Sequence, residues 1–202
     1  MKEEISKVKK PEVKEIGIRV NQINLETVQF KILGTSPLLM DKFPDEVKKQ
    51  IEDKQTGKNK ISKQVRNIDK ETLSAVHKTA EGKVGYPSIG FKAGLIESTS
   101  FIGDKMFSKK LLRGIQIVNA VEGLVPIEFK KQDVLSHSIQ SNTKYSPQFH
   151  DWTCVLQIQF DKNNISTEDI ASLINYAGFY YGIGIWSPRC KSGGSYGMYK
   201  LA

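Results

Sequence analysis

Residues 151–181, DWTCVLQIQFDKNNISTEDIASLINYAGFYY, change their hydrophobic period halfway along, and that change decides the fold class. In the first half Trp152, Cys154, Leu156, Ile158 and Phe160 alternate with Thr153, Val155, Gln157 and Gln159. Successive side chains of a strand point to opposite faces, so this alternation predicts a strand with one face buried. In the second half Ser166-Thr-Glu-Asp resembles a capping box, with Asp in the place usually held by Glu. Ile170, Leu173, Ile174, Ala177 and Tyr181 then fall on one stripe of a helix that ends near Gly182.

The pattern extends in both directions from this strand–helix unit. Towards the C-terminus, residues 196–201 predict a closing strand. Towards the N-terminus, GIQIVNAVEGLVPIEF (114–129) reads as two short strands around a Glu122-Gly123 turn, with Ile115, Ile117, Leu124, Val125, Ile127 and Phe129 as core candidates. Before it, Ser88 is a candidate N-cap for a helix over about 88–102 carrying Phe91, Leu95 and Ile102 on one face. Ala93 and Gly94 would allow close packing, although Gly90 and Gly94 each lower helix propensity. Between Glu15 and Leu33 two clusters of β-branched residues predict strands, of which 26–33 belongs to the core and is ended by Gly34 and Pro37.

Strand, helix, strand pair, strand, helix, strand is the split βαβ order of a ferredoxin-like α+β core, βαββαβ. Two helices would cover one face of its antiparallel sheet. The other face would be left for insertions, neighbouring subunits or nucleic acid, as in RNA-recognition domains of this topology.

The remaining segments are insertions on that core. Residues 1–14 are rich in Lys and Glu with too few apolar groups to order them, and predict a mobile tail ahead of a single domain over 15–202. A basic insertion, about 41–83, lies between the first strand and first helix; Asp45–Lys54 predicts a short polar helix, and Lys54, Lys58, Lys60, Lys63 and Arg66 a mobile loop. Residues 130–150 form a polar excursion that elaborates the central hairpin.

Composition narrows the function. The chain has 202 residues, 39% hydrophobic and 26% charged, an ordinary globular balance. No apolar run reaches the roughly 18 residues needed to cross a bilayer, and the first residues lack the apolar stretch of a signal peptide, so a cytoplasmic protein is expected. Cys154 and Cys190 supply neither a disulfide framework nor a four-cysteine zinc site. Thirty Lys and Arg against twenty-two Asp and Glu give a net charge of +8, a field that attracts polyanions in a salt-sensitive way.

The candidate binding surface is GIGIWSPRCKSGGSYG, residues 182–197. Gly182, Gly184, Gly193, Gly194 and Gly197 permit close backbone approach, and their N–H groups are candidates for a nest around phosphate oxygens. Arg189 and Lys191 add charge, and Trp186, Tyr196 and Tyr199 offer flat faces for base stacking. The alternative is a mobile surface turn whose Trp186 packs on the core. The loop is no P-loop, because no Gly-Lys-Ser/Thr ends it, and Gly182-Ile-Gly184 lacks the third glycine of a dinucleotide fingerprint. A second basic cluster, Lys105, Lys109, Lys110 and Arg113, is either a phosphate contact or a solvated turn.

Catalysis and metal binding have less support. His77, His137 and His150 are the general acid–base candidates, and none has a recognisable catalytic neighbourhood in sequence. No metal-ligand spacing such as HExxH or CxxC occurs, and no catalytic residue, metal or cofactor is expected.

Three segments resemble the repeat-associated, RRM-like (RAMP) superfamily, which includes backbone and processing subunits of CRISPR effector complexes. They are FKILGTSPLLM (30–40), ISTEDIASLINYAG (165–178) and GIGIWSPRCKSGGSYGMY (182–199). The chain also resembles uncharacterised phage proteins encoded near replication or recombination functions. The resemblance implies binding of single-stranded DNA or RNA by subunits that often polymerise along the strand, and some members of the superfamily cut RNA with a histidine; with no catalytic residue expected here, a non-catalytic binder is the leading reading. Two alternatives accompany it: a histidine-dependent endoribonuclease of the same fold, and a viral protein-interaction factor that blocks a host nucleic-acid complex.

Overall fold

The computed structural model describes residues 22–56, 67–101, 112–139, 142–191 and 193–202. The expected tail at 1–14, most of the first β-branched cluster, the middle of the basic insertion and Ile102 lie outside them. Elements follow in the order β1 (Leu25–Gly34), β2 (Leu38–Leu39), α1 (Asp45–Gln55), α2 (Ile68–Ser74), β3 (Gly85–Pro87), α3 (Ser88–Ser98), β4 (Gln116–Ile117), β5 (Leu124–Glu128), β6 (Lys131–Ile139), β7 (Asn142–His150), β8 (Thr153–Asp161), α4 (Thr167–Tyr180) and β9 (Tyr199–Leu201). A 3-10 turn, Thr99–Phe101, continues α3.

The alternation of β8 is that of its sequence: Cys154, Leu156, Ile158 and Phe160 are buried and the residues between them half-buried. Its register with β1 runs antiparallel from Leu25 opposite Asp161 to Leu33 opposite Thr153. This ladder is the centre of an antiparallel sheet of order β3-β5-β8-β1-β9, to which β4 adds on β8. Phe30, Ile32, Leu156 and Ile158 share one core with Phe91 and Leu95 of α3 and Ile170, Leu173, Ile174 and Ala177 of α4. The two helices meet closely at Gly94, where an added Cβ would touch the Ala177 methyl at 3.4 Å. Ser98 Oγ donates to the Leu173 carbonyl across the same contact.

The start of α4 follows from its cap. Ser166 Oγ accepts from the Asp169 N–H at 3.1 Å while the Asp169 carboxylate accepts from the Ser166 N–H at 3.0 Å, so two end groups of the helix are satisfied reciprocally. The start of α3 differs from the sequence expectation. Pro87 is the N-cap, Ser88 is already helical, and no side chain caps the first turn.

Three features depart from the expected arrangement. The strands of 114–129 do not pair as a hairpin: β4 joins β8 at Gln159 and Ile158, while β5 joins it at Cys154 and Thr153 and pairs with β3 on its other side. One long strand thus receives both short ones end to end, and the turn between them keeps a single bridge, Val121 to Leu124. The polar excursion 130–150 is a regular hairpin, β6 and β7, which with β2 makes a second sheet of order β2-β7-β6. The basic insertion holds α1 near its expected place and a further helix, α2, whose N-cap Asn67 accepts from the Lys70 N–H at 3.0 Å.

On the face of β1 and β8 turned from the helices, Thr27, Gln29 and Lys31 stand opposite Gln159, Gln157 and Val155. Gln157 Nε2 donates to Gln29 Oε1 at 3.3 Å. These positions carry no aromatic ring, so base stacking of the kind used on RNA-recognition sheets has no platform on them. No described helix is long and apolar enough to cross a membrane.

Candidate nucleic-acid interface

Residues 182–198 connect α4 to β9, and their backbone folds back on itself beside β2. Ile183, fully buried, donates its N–H to the Gly197 carbonyl at 2.9 Å, and Tyr196 donates to the Trp186 carbonyl at 3.1 Å. The outer side of this tongue bonds to the chain around β2: Ile185 N–H to the Leu39 carbonyl and Gly197 N–H to the Pro37 carbonyl. The tip is closed by Cys190 N–H donating to the Ser187 carbonyl at 2.9 Å, with Ser187 buried. The loop is therefore a hydrogen-bonded element packed on its neighbours, which differs from the mobile turn offered by the sequence.

The same bonds correct the phosphate-nest expectation. Each of the five glycine N–H groups donates within the protein: Gly182 to Ala177 O, Gly184 to Tyr86 Oη, Gly193 to Cys190 O, Gly194 to Ser187 O and Gly197 to Pro37 O. Donors already engaged are not aimed at an incoming anion. Gly193 and Gly194 serve the shape of the tongue. At Gly194 a Cβ would collide with the Trp186 carbonyl, whereas Gly193 faces open space.

The side chains that remain available are at the tip. Trp186 is 42% exposed and has a backbone φ of 57°, a left-handed conformation that a bulky residue adopts only under constraint. Arg189 and Lys191 are exposed, and neither has an ion-pair partner among the described residues. Tyr196 is half-buried beside them. Tyr199, grouped with these rings in the sequence reading, is 3% exposed; it lies in the core against Phe91 and Trp152, and burial raises its phenol pKa. It has no face to offer a base.

Of the second basic cluster, Lys105, Lys109 and Lys110 lie outside the described residues. Arg113 is exposed at the turn entering β4, its carbonyl accepting from Lys92 Nζ at 2.9 Å. The two ends of β8 separate it from the tongue: β4 pairs at Ile158 and Gln159, whereas the tongue adjoins the Gly34–Trp152 end, about 17 Å away at the rise of a strand. Arg113 and the tip residues do not form one cluster.

Two histidines flank the tongue, which sequence spacing gave no means of seeing. His137 of β6 packs edge-on against Trp186, ring centroids 5.4 Å apart, and both its ring nitrogens are buried without a hydrogen-bond partner. His77 lies edge-on to Tyr86, the residue whose hydroxyl accepts from Gly184. Burial, then the Lys42 charge, lowers the His77 pKa. His150 is elsewhere, its Nε2 3.2 Å from Asp133 Oδ2 but badly angled for a hydrogen bond. Of the thiols, Cys154 is buried, which pushes its pKa up to about 12, and Cys190 Sγ lies 3.9 Å from Ser187 Oγ.

No protein-family model matches the chain, and no curated protein matches it. Among solved structures it is similar to Cmr6 from Pyrococcus furiosus, with 9% sequence identity and a TM-score of 0.44 over 90% of this chain and 100% of that one.

Proposed function

We propose that this chain is a non-catalytic single-strand-binding protein of RAMP type, built on a ferredoxin-like core and contacting the strand through the tip of its glycine-rich tongue. The order β9-β1-β8 with β4 and β5 on the far side of β8, and α3 and α4 on one face, supports the core assignment. The observation that carries the binding role is Trp186: a hydrogen-bonded tongue holds a large ring at the surface in a strained backbone conformation, next to the exposed Arg189 and Lys191. Strain retained at an exposed residue is characteristic of sites. A ring flanked by cations fits stacked bases on a phosphate backbone.

His137 beside Trp186 favours a second reading, a histidine-dependent endoribonuclease. Proton transfer needs a ring nitrogen that reaches the substrate, and both nitrogens of His137 are buried. The non-catalytic reading is therefore preferred. Self-association along the strand and a cytoplasmic setting belong to the same proposal.

The test is fluorescence anisotropy of labelled single-stranded DNA, single-stranded RNA and duplex at several salt concentrations, with the strands checked afterwards for cuts. Arg189→Ala with Lys191→Ala should weaken single-strand binding uniformly over sequence and flatten the salt slope by roughly 1.4, at about 0.7 per phosphate contact. An unchanged slope would remove the tongue from the interface. Cleavage lost in His137→Ala would install the endoribonuclease instead, and recovery of a protein partner with no strand binding would favour the interaction factor.

A further inference from the structure

The outer face of α4 carries a group of rings that the tongue does not use. Phe101, from the 3-10 turn after α3, stacks on Tyr180 with centroids 3.9 Å apart and planes 8° from parallel. Tyr176 lies within 16° of both planes, 6.3 Å from each. Phe179 abuts Tyr180 edge-on and is 60% exposed. Such rings would ordinarily be turned into a core, yet all four are open to solvent. Tyr176, Phe179 and Tyr180 line a cavity of about 410 Å³ with Ser172 and Asn175, and no charged residue lines it among the described residues.

We infer that this cavity is a stacking pocket for a nucleobase of a bound single strand, an inference that rests on the nucleic-acid reading above. Phe101 and Tyr180 are a stacked pair, and Tyr176, equidistant from both, lies beside them with its plane nearly parallel; a further flat ring can lie on this pair, since offset stacking is the preferred aromatic geometry. Asn175 adds an amide for the edge of the base: its Oδ1 accepts from the Leu201 N–H, which fixes the side chain in place. The net charge of +8 draws a polyanion to the surface.

The pocket is tested with the full chain and three strands of equal length: unmodified, abasic, and carrying 5-iodouracil for photocrosslinking. Tyr176→Leu with Tyr180→Leu removes the flat faces and keeps apolar bulk; both residues are exposed, and thermal melting monitors the fold. The unmodified strand should bind roughly fivefold or more tightly to the parent than to this variant, the value of about one stacked base. The abasic strand should bind the two equally, and crosslinks should map to the peptide holding residues 176–180. Strand binding that the double substitution leaves unchanged, with crosslinks confined to Trp186, would overturn the pocket and leave the tongue interface standing. Absence of strand binding would overturn both. A concentration-dependent dimer abolished by the same substitutions would make this face a contact between copies and refute base stacking.

Discussion

Gly193 and Gly197 share a left-handed backbone, with φ of 59° and 64°, but alanine at the two positions should have different consequences. For either, holding an L-residue there costs about 1–2 kcal/mol. At Gly193 nothing lies within 4 Å of the new methyl, so strain is the whole effect. At Gly197 the methyl would collide with the Ile183 carbonyl, and relieving the collision breaks the 2.9 Å bond from the Ile183 N–H to the Gly197 carbonyl. Losing that bond adds about 0.5–1.5 kcal/mol. The totals centre on about 1.5 kcal/mol for Gly193→Ala and about 2.5 kcal/mol for Gly197→Ala. In a domain of this size each kcal/mol lowers Tm by about 2–4 °C, so the expected shifts are about 3–6 °C and about 5–10 °C. Differential scanning calorimetry measures both, and strand binding at two salt concentrations shows what the tongue does. Gly193→Ala should leave the affinity and salt slope near those of the parent, whereas Gly197→Ala should lower affinity by misplacing Trp186. Equal Tm losses in the two variants would refute the view that packing on Ile183 holds the tongue.

The cap of α4 and the histidine beside Tyr86 give two further expectations. Ser166→Ala removes both the acceptor for the Asp169 N–H and the partner that orients the Asp169 carboxylate, and should lower stability by about 1 kcal/mol in urea unfolding; an unchanged midpoint would mean that the box contributes nothing. His77 is held below the ordinary 6.5 by burial and by Lys42, with Lys48 acting in the same direction and Asp41 against it. The unfolded chain therefore takes up this proton first as pH falls, so stability should decline from pH 6.5 towards the lower native pKa. His77→Gln should remove that part of the decline when Tm is followed over this range, and parallel curves for the two proteins would contradict the assignment.

The β8–α4 unit was legible because its signals are local. Alternation from Trp152 to Phe160 and the Ser166–Asp169 cap each lie within a few residues of one another, and the structure keeps both. The hairpin of β6 and β7 was missed for the converse reason: in β6 the apolar residues Val134, Leu135 and Ile139 keep no period of two, and in β7 the alternation of Tyr145, Pro147 and Phe149 runs through a proline that argues against a strand, so a regular hydrogen-bonded ladder reads as a polar excursion. The 114–129 pair had the right strands and the wrong partners, since both short strands find more by joining β8 than by closing on each other.

The candidate site divides in the same way. Its residue types, glycines with Trp186, Arg189 and Lys191, and the surplus of positive charge were visible in the chain itself. Tertiary structure decided their roles. The glycine donors are engaged by partners as remote as Pro37 and Tyr86, Tyr199 is drawn into the core, Arg113 is left at the far end of β8, and His137 arrives beside Trp186 from another strand. Sequence alone determined periodicity, capping and charge, which act over a few residues or over the whole chain. Hydrogen-bond partners and burial were settled only by the fold, because each depends on which distant segments are brought within a few ångströms.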